Sequence, residues 1–153
     1  MNALELKVPP PLVALCMALL MWLTTRVIGP FEVAQMLRLG GAAALACVGL
    51  GLELAGVVSF LQAKTTVNPV KPANASSLVS SGIYRVTRNP MYLGLLLMLL
   101  GWATFLANVL AYVIAPLFVL YINRFQIGPE ERVLLQKFGA GFLAYKANVR
   151  RWL

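Results

Sequence analysis

Four long apolar stretches, separated by short polar ones, set the pattern of this chain. They run over about residues 12–28, 36–61, 91–107 and 109–125. A helix of about twenty apolar residues crosses a ~30 Å hydrocarbon core. A single segment can satisfy all of its backbone hydrogen bonds in that core only as a helix. The pattern therefore predicts four membrane-spanning helices. Only Asn108 separates the third from the fourth, which predicts a tight antiparallel hairpin of slightly short helices.

The rest of the chain supplies one long loop and a C-terminal segment. The loop, residues 68–81, is rich in Pro, Asn and Ser, which disfavour a long helix. The segment 126–153 contains Pro129, which suits a first helical position, followed by apolar residues at helical spacing. We expect a C-terminal helix at the cytoplasmic membrane surface, interrupted near Gly139. The predicted fold class is all-α, with residues 1–153 forming a single integral membrane domain.

Composition and charge support a membrane protein and give it an orientation. The chain is 60% hydrophobic and 12% charged, whereas soluble domains are ~45–50% apolar and ~25% charged. Of its thirteen basic residues, Arg26 and Arg38 lie on one side of the predicted spans. The others lie with the termini and the long loop, which predicts cytoplasmic termini in a bacterial inner membrane. The net charge of +8 then fits anionic lipid, so no nucleic-acid partner is expected.

Several kinds of catalytic site are disfavoured by the residues available. The chain has no histidine and only five carboxylates, which removes the commonest general base and metal ligand. Glu5 and Glu32 are expected to be solvated surface groups. Cys16 and Cys47 fall inside predicted spans, where a thiol behaves as a small apolar group. Neither a metal site nor a disulfide is predicted.

The second span carries two further features. Gly49 and Gly51 could be mistaken for part of a dinucleotide motif, but small residues inside a span favour close helix packing. This Gly- and Ala-rich span could also support a homodimer. Glu53 is an ionisable residue at a depth where charge is costly and often functional. We hypothesise that Glu53 faces a pocket and contacts an acceptor or pairs with an arginine; a packing role is the alternative.

A polar cluster is predicted at the cytoplasmic boundary of the third and fourth spans. Arginine can hold a carboxylate through two hydrogen bonds, an aromatic face can lie against a cation, and Pro90 leaves carbonyls without a competing N–H. This set suits a cofactor with a cation, a carboxylate and ribose hydroxyls. The alternative is a lipid-facing arginine, a tyrosine in the interfacial belt and a glutamate pair at a helix start. The cluster comprises Tyr84, Arg88, Asn89, Tyr92, Arg124, Glu130 and Glu131.

At these residues the sequence resembles the isoprenylcysteine carboxyl methyltransferase and phospholipid methyltransferase superfamily. The resemblance covers about residues 80–153 and rests on the run from Arg88 to Gly94, the Glu130, Glu131 pair and the basic C-terminus. It implies an integral membrane enzyme that binds S-adenosylmethionine at the cytoplasmic face, between the motif, the helix hairpin and the C-terminal helix. Arg88 and Glu131 are the predicted catalytic residues. The predicted cofactor-binding residues are Tyr84, Arg88, Asn89, Pro90, Tyr92, Leu93, Gly94, Glu130 and Glu131.

Two positions depart from the family pattern. Asn89 stands where the family usually has histidine, so a titrating side chain is replaced by a neutral amide. Gly141 and Phe142 stand where the family tends to carry Glu and Tyr. A proton-accepting role at Asn89 is therefore not expected, and family contacts from the Gly141 and Phe142 segment are not carried over. Neither change forbids cofactor binding.

The acceptor is predicted from the chemistry of methyl transfer. In-line displacement at a sulfonium methyl depends chiefly on alignment and desolvation. A carboxylate or thiolate acceptor needs no deprotonation, whereas an amine must lose a proton and Glu131 is the candidate to take it. This favours a lipophilic carboxyl or thiol acceptor, as in the isoprenylcysteine enzymes. The alternatives are a phospholipid or small-amine N-methyltransferase and a non-catalytic membrane scaffold.

Overall fold

The computed structural model describes residues 5–65 and 72–153, and within these ranges it contains helices and no β-strand. This confirms the all-α prediction. Residues 68–71 of the predicted loop lie outside the described ranges, and the remainder of the loop contains one 3₁₀ turn, Pro72–Asn74. A second 3₁₀ turn, Gly82–Arg85, precedes the third helix. The α-helices are α1 (Pro10–Thr24), α2 (Gln35–Gln62), α3 (Pro90–Leu106), α4 (Val109–Ile122) and α5 (Gly128–Asn148).

The turn between α3 and α4 is the tight hairpin that the sequence predicts. Ala107 ends α3 in the left-handed conformation, with φ 48°. Asn108 then caps α4, because its Oδ1 accepts a hydrogen bond from the backbone N of Ala111 at 3.2 Å. The same side chain donates to the carbonyl of Ile28 at 2.6 Å and accepts from Thr24 at 3.1 Å. Asn108 therefore ties the hairpin to the end of α1.

Helices α1 to α4 run alternately up and down between two ends of the molecule, and α5 continues in the direction of α4. Helices α1, α3 and α4 enclose an apolar core that includes Met21, Ala103 and Phe118, all fully buried. Helix α2 packs along α3. The two backbones approach most closely at Gly49 and Gly94, where a Cβ on either glycine would lie 2.6 Å from the other's carbonyl oxygen. The prediction that small residues serve helix packing is confirmed at Gly49.

Helix length bears on the predicted membrane spans. In the described ranges, two helices are long and apolar enough to cross a membrane: Gln35–Gln62 and the continuous helix Val109–Asn148. Helices α1 and α3 are also apolar but have only 15 and 17 residues. Large apolar side chains on α2, such as Met36, Leu50 and Leu54, are exposed, as expected for a lipid-facing surface. The four-span arrangement therefore stays a prediction.

Helix α4 continues directly into α5 through the π-helical turn Asn123–Ile127. Backbone angles stay helical through this turn, with φ −62° and ψ −47° at Ile127. The C-terminal helix is thus an extension of α4, whereas the sequence predicts a separate helix. The predicted interruption near Gly139 is confirmed, because Gly139 has φ 50° and ψ −123°.

Candidate functional site

A cavity of about 240 Å³ lies where α3 begins and α4 passes into α5. Its walls come from the start of α1, from α2, from the segment 72–79 and from α5. The structure brings six of the predicted site residues to this cavity, and Glu53 of α2 lines it as well, as hypothesised. The six are Tyr84, Arg88, Asn89, Tyr92, Glu130 and Glu131.

Three predicted cofactor residues do not line this cavity. Pro90, Leu93 and Gly94 are all buried in the first turns of α3. Pro90 begins the helix, where its missing N–H is not required, and Gly94 allows the close approach of α2. These three residues form part of the helical backbone that carries Tyr92. A direct contact between them and the cofactor stays a prediction.

Arg88 and Glu131 form an ion pair at the wall of the cavity. Arg88 Nη2 lies 2.9 Å from Glu131 Oε1, and the two side chains are only 9% and 13% exposed. Arg151 donates to both oxygens of Glu131, at 3.1 and 2.7 Å, and Lys146 Nζ lies 3.7 Å away. Burial raises the pKa of Glu131, but hydrogen bonds from Arg151 and the nearby positive charges outweigh it and hold the pKa below its ordinary value. Glu131 is therefore ionised at neutral pH.

Arg88 also binds the C-terminal end of the chain. Its Nη1 donates to the carbonyls of Lys146 and Val149, at 3.1 and 3.2 Å. Its backbone N donates to the carbonyl of Arg150 at 3.0 Å. Arg88 Nε is buried and has no hydrogen-bond partner among the described residues. One donor of this guanidinium thus remains for another group.

Asn89 takes part in the same attachment. Its Nδ2 donates to the carbonyl of Arg151 at 2.9 Å, and the hydroxyl of Thr87 donates to that oxygen at 3.2 Å. Trp152 Nε1 donates to Asn123 in the π turn at 3.1 Å. We call residues 149–152 the C-terminal strap. The side-chain amide of Asn89 therefore anchors this strap.

The second glutamate has a different environment. The hydroxyl of Tyr92 donates to Glu130 Oε2 at 3.0 Å. Burial raises the pKa of Glu130 to about 7; the hydrogen bond from Tyr92 opposes this increase, and the charge of Glu131 adds to it. Part of the Glu130 surface remains exposed, as expected for a group enclosed by protein that lines a cavity. Near neutral pH, Glu130 is therefore more readily protonated than an ordinary carboxyl group.

Tyrosines close one wall of the cavity. Tyr145 donates its hydroxyl hydrogen bond to the carbonyl of Tyr84 at 2.8 Å. Tyr84 also packs edge-on against Phe60 of α2, with ring centroids 5.5 Å apart. Burial raises the pKa of both tyrosines above the ordinary value, so both remain neutral.

The prediction that Glu5 is a solvated surface group was wrong. The prediction that Arg124 belongs to the polar cluster is corrected for the same reason. Glu5 is 5% exposed and accepts hydrogen bonds from Arg124 at 3.0 Å and Arg132 at 2.7 Å. Burial raises its pKa, but these two arginines outweigh it and lower the net value. The backbone of Leu6 also donates to the carbonyl of Phe125 at 3.0 Å. Arg124 therefore fastens the segment that begins at Glu5 to the π turn, and Arg124 does not line the cavity.

Some functional contacts were missed from sequence. Arg151, Lys146 and Thr87 all bind the cluster, yet the sequence analysis gave none of them a place in it. Arg150 and Arg151, which precede Trp152, were part of the family resemblance. That resemblance was the one signal in the sequence that pointed to Arg151 as a site residue.

Comparison with known proteins adds a family match. Residues 37–141, from the start of α2 to Gly141, match the family described as phospholipid methyltransferase. This match begins well before residue 80 and stops short of the C-terminal strap. An uncharacterized protein from Haemophilus influenzae is 52% identical over 63 residues, which are 41% of this chain and 100% of that protein. No solved structure matches the chain.

Proposed function

This chain belongs to the phospholipid methyltransferase family, and we propose that it is a membrane enzyme that transfers a methyl group from S-adenosylmethionine to a lipophilic amine. The observation that carries the proposal is the cavity at the end of the bundle. It combines a buried Arg88–Glu131 pair, a Glu130 that forms no ion pair among the described residues, and apolar walls.

The cavity residues fit the polar groups of this cofactor. The buried Nε of Arg88, which has no partner among the described residues, suits a carboxylate. The rings of Tyr84 and Phe142 line the same cavity and suit a cation or a flat base. When bound, S-adenosylmethionine would supply an activated methyl group on a positively charged sulfur. The protein contributes by holding the acceptor in line and excluding water.

The charges in the cavity bear on the acceptor. Arg88 is occupied by Glu131 and by backbone carbonyls. Glu53 and Glu130 both line the cavity, and neither forms an ion pair within the described parts of the chain. With the remaining Arg88 donor given to the cofactor carboxylate, an acceptor carboxylate would meet two carboxyl groups and no further free arginine among the described cavity residues. An ammonium group would be attracted to these carboxyl groups in their ionised form.

These charges favour the amine alternative over the carboxyl or thiol acceptor that the sequence favours. The sequence argument rested on Glu131 as the only candidate base, and Glu131 is held by three cations. Glu130 is a second carboxyl group at the cavity, so the objection to an amine no longer applies.

A matched set of acceptors tests the proposal. We expect the purified enzyme to transfer labelled methyl from S-adenosylmethionine to dodecylamine or to phosphatidylethanolamine in mixed micelles. Dodecanethiol and dodecanoic acid, whose alkyl chains match that of dodecylamine, should be poor acceptors. Preferential labelling of the acid or the thiol would contradict the amine proposal and leave the methyltransferase proposal standing.

Calorimetric binding separates an enzyme from a scaffold. We expect S-adenosylmethionine to bind the wild type and to bind Arg88→Ala and Glu131→Ala much more weakly. Far-UV circular dichroism of each variant controls for folding. A folded wild type that binds no cofactor would contradict the enzyme proposal and favour a non-catalytic scaffold.

A further inference from the structure

Glu53 is a charged residue inside a helix that is otherwise apolar and long enough to cross a membrane. It lies about 14 Å along the axis before α2 ends at Gln62, at ~1.5 Å per residue. Among the described residues Glu53 forms no ion pair. An ionisable group at such a depth is costly and marks a ligand or partner site. The carboxylate of Glu53 therefore calls for a cationic partner from outside the described chain.

The face of α2 that carries Glu53 packs against the beginning of α3. Gly49, Glu53 and Gly56 are spaced by four and three residues, which places them on one face of the helix. A Cβ at Gly56 would lie 2.6 Å from Met91 Cγ, and a Cβ at Gly94 would lie 2.7 Å from Glu53 Cγ. Gly94 therefore leaves the room that the Glu53 side chain occupies between the two helices.

The Glu53 side chain reaches the cavity and not the headgroups at the nearer membrane surface. Side chains of a helix lean toward its N-terminus. The N-terminal half of α2 packs along the later part of α3, where Gly101 meets Ala42, away from the cavity. This direction disfavours a snorkelling role, in which a long side chain extends to the near surface. Glu53 instead lines the cavity together with Met91 and Leu95 of α3.

The polar groups of the cavity are divided between two sets of elements. Arg88 and Glu131 pair with each other and hold the C-terminal strap. Glu53 approaches from α2, beside the apolar side chains of Met91 and Leu95. A lipophilic amine fits this part of the cavity, because its alkyl chain can contact the apolar residues while its ammonium group contacts a carboxylate.

We propose that Glu53 is a specificity-determining residue whose carboxylate binds the ammonium group of the methyl acceptor. The inference rests on the proposed amine methyltransferase function and names the residue that selects the amine. A neutral thiol of the same chain length gains no ionic attraction from Glu53, and a fatty acid carboxylate is repelled by it.

The decisive variant is Glu53→Gln, which removes the charge and keeps the size of the side chain. We expect the KM for dodecylamine to rise at least ~10-fold, with a smaller change in kcat, because a contact made in the ground state and the transition state is lost. S-adenosylmethionine should bind within a fewfold of the wild type by calorimetry. Glu53→Asp keeps the charge and should retain the preference for dodecylamine over dodecanethiol.

Glu32→Gln is the matched control for the loss of one carboxylate. Glu32 is exposed and precedes α2, at the end of the molecule away from the cavity. Neither the KM for dodecylamine nor cofactor affinity should change in this variant.

Equilibrium binding gives a readout that does not depend on turnover. S-adenosylhomocysteine lacks the transferable methyl group, so dodecylamine bound beside it remains unreacted. In nanodiscs of zwitterionic lipid, Glu53→Gln should bind dodecylamine at least ~10-fold more weakly than the wild type. The neutral analogue dodecanol should bind both proteins equally, which controls for partitioning into lipid.

The outcomes separate this inference from the proposed function. If the wild type methylates dodecylamine and Glu53→Gln keeps the same KM and amine affinity, Glu53 does not bind the acceptor and the proposed function stands. If Glu53→Gln loses S-adenosylmethionine binding or its fold, Glu53 serves the cofactor or helix packing, and the inference is overturned. If the wild type methylates neither dodecylamine nor phosphatidylethanolamine, the proposed function and this inference both fail.

Discussion

Glu131 connects parts of the chain that are far apart in sequence. Its carboxylate binds Arg88, which precedes α3, and Arg151 in the C-terminal strap. Both members of the Arg88 pair are largely buried, and removing one partner of such a pair leaves the other charge uncompensated. The stability of the site should therefore depend strongly on this one carboxylate.

We expect Glu131→Gln to lower the free energy of unfolding by about 3 kcal/mol, because Arg88 then stays buried without its counter-ion. Lys146→Gln is the matched control; Lys146 is 47% exposed and 3.7 Å from Glu131, so it should cost less than about 1 kcal/mol. Denaturant unfolding in detergent, monitored by circular dichroism, measures the free energy of unfolding of both variants. Equal losses of unfolding free energy in the two variants would show that the buried Arg88–Glu131 pair does not stabilise the fold more than an exposed contact.

The same carboxylate gives the fold an acid sensitivity. Glu131 has a lowered pKa in the folded protein, so its contribution to stability is complete above the ordinary value of ~4.3. That contribution is lost as the pH falls through the lowered folded value.

At the residue scale, the sequence predicted which side chains meet but not how they pair. The spacing of Arg88, Tyr92, Glu130 and Glu131 placed them at one boundary, because each lies near the end of an apolar run. Which glutamate pairs with Arg88 depends on the rotation of α5. That rotation is set by the π turn, for which the sequence gives no periodic signal. Glu5 was missed because a single acidic residue near a terminus carries no sign of burial.

At the scale of the elements, the apolar runs predicted the helices well. The predicted span 36–61 corresponds to Gln35–Gln62, and 109–125 corresponds to Val109–Ile122 together with the π turn. A π turn adds residues to a helix without breaking its backbone conformation. Hydrophobic patterning could therefore predict the end of the apolar stretch but not the continuation of the helix into α5.

The contact between α2 and α3 gives a prediction with a matched control. A Cβ at Gly49 would lie 2.6 Å from the carbonyl oxygen of Gly94 and 2.9 Å from Met98, whereas no atom of the described residues lies within 4 Å of a Cβ at Gly51. We expect Gly49→Ala to separate the helices and cost roughly 1–3 kcal/mol of stability. Gly51→Ala should be neutral or stabilising by up to ~1 kcal/mol, since alanine favours a helix.

Thermal unfolding in detergent compares the two alanine variants. Glu53 lies one helical turn after Gly49, and the ideal Cβ of Gly94 would lie 2.7 Å from its Cγ. Methyl transfer should therefore fall in Gly49→Ala and persist in Gly51→Ala. Similar behaviour of both variants would contradict close packing at Gly49.

At the scale of the whole molecule, the site occupies one end of an up-and-down bundle. The buried Glu5, the π turn and the C-terminal strap all meet at this end, while Asn108 and Ile28 meet at the other. Charge counting predicted that the termini share a side with the site. It could not predict that Glu5 and the C-terminal strap are both fastened there, because those contacts depend on buried partners and on carbonyl groups.

The up-and-down order gives a topological prediction that tests the four spans and the orientation together. Alkaline phosphatase fused after Leu153 should be inactive in a bacterial host, because the C-terminus is expected to be cytoplasmic. Gly29 has no atom of the described part of the chain within 4 Å of an added Cβ, and alkaline phosphatase inserted after it should be exported and active. Replacing Arg26 and Arg38 by glutamine should strengthen this difference, because these are the basic residues on the exported side. Activity at Leu153 would place the cavity on the face away from cytoplasmic S-adenosylmethionine, and the proposed function would then lack its methyl donor.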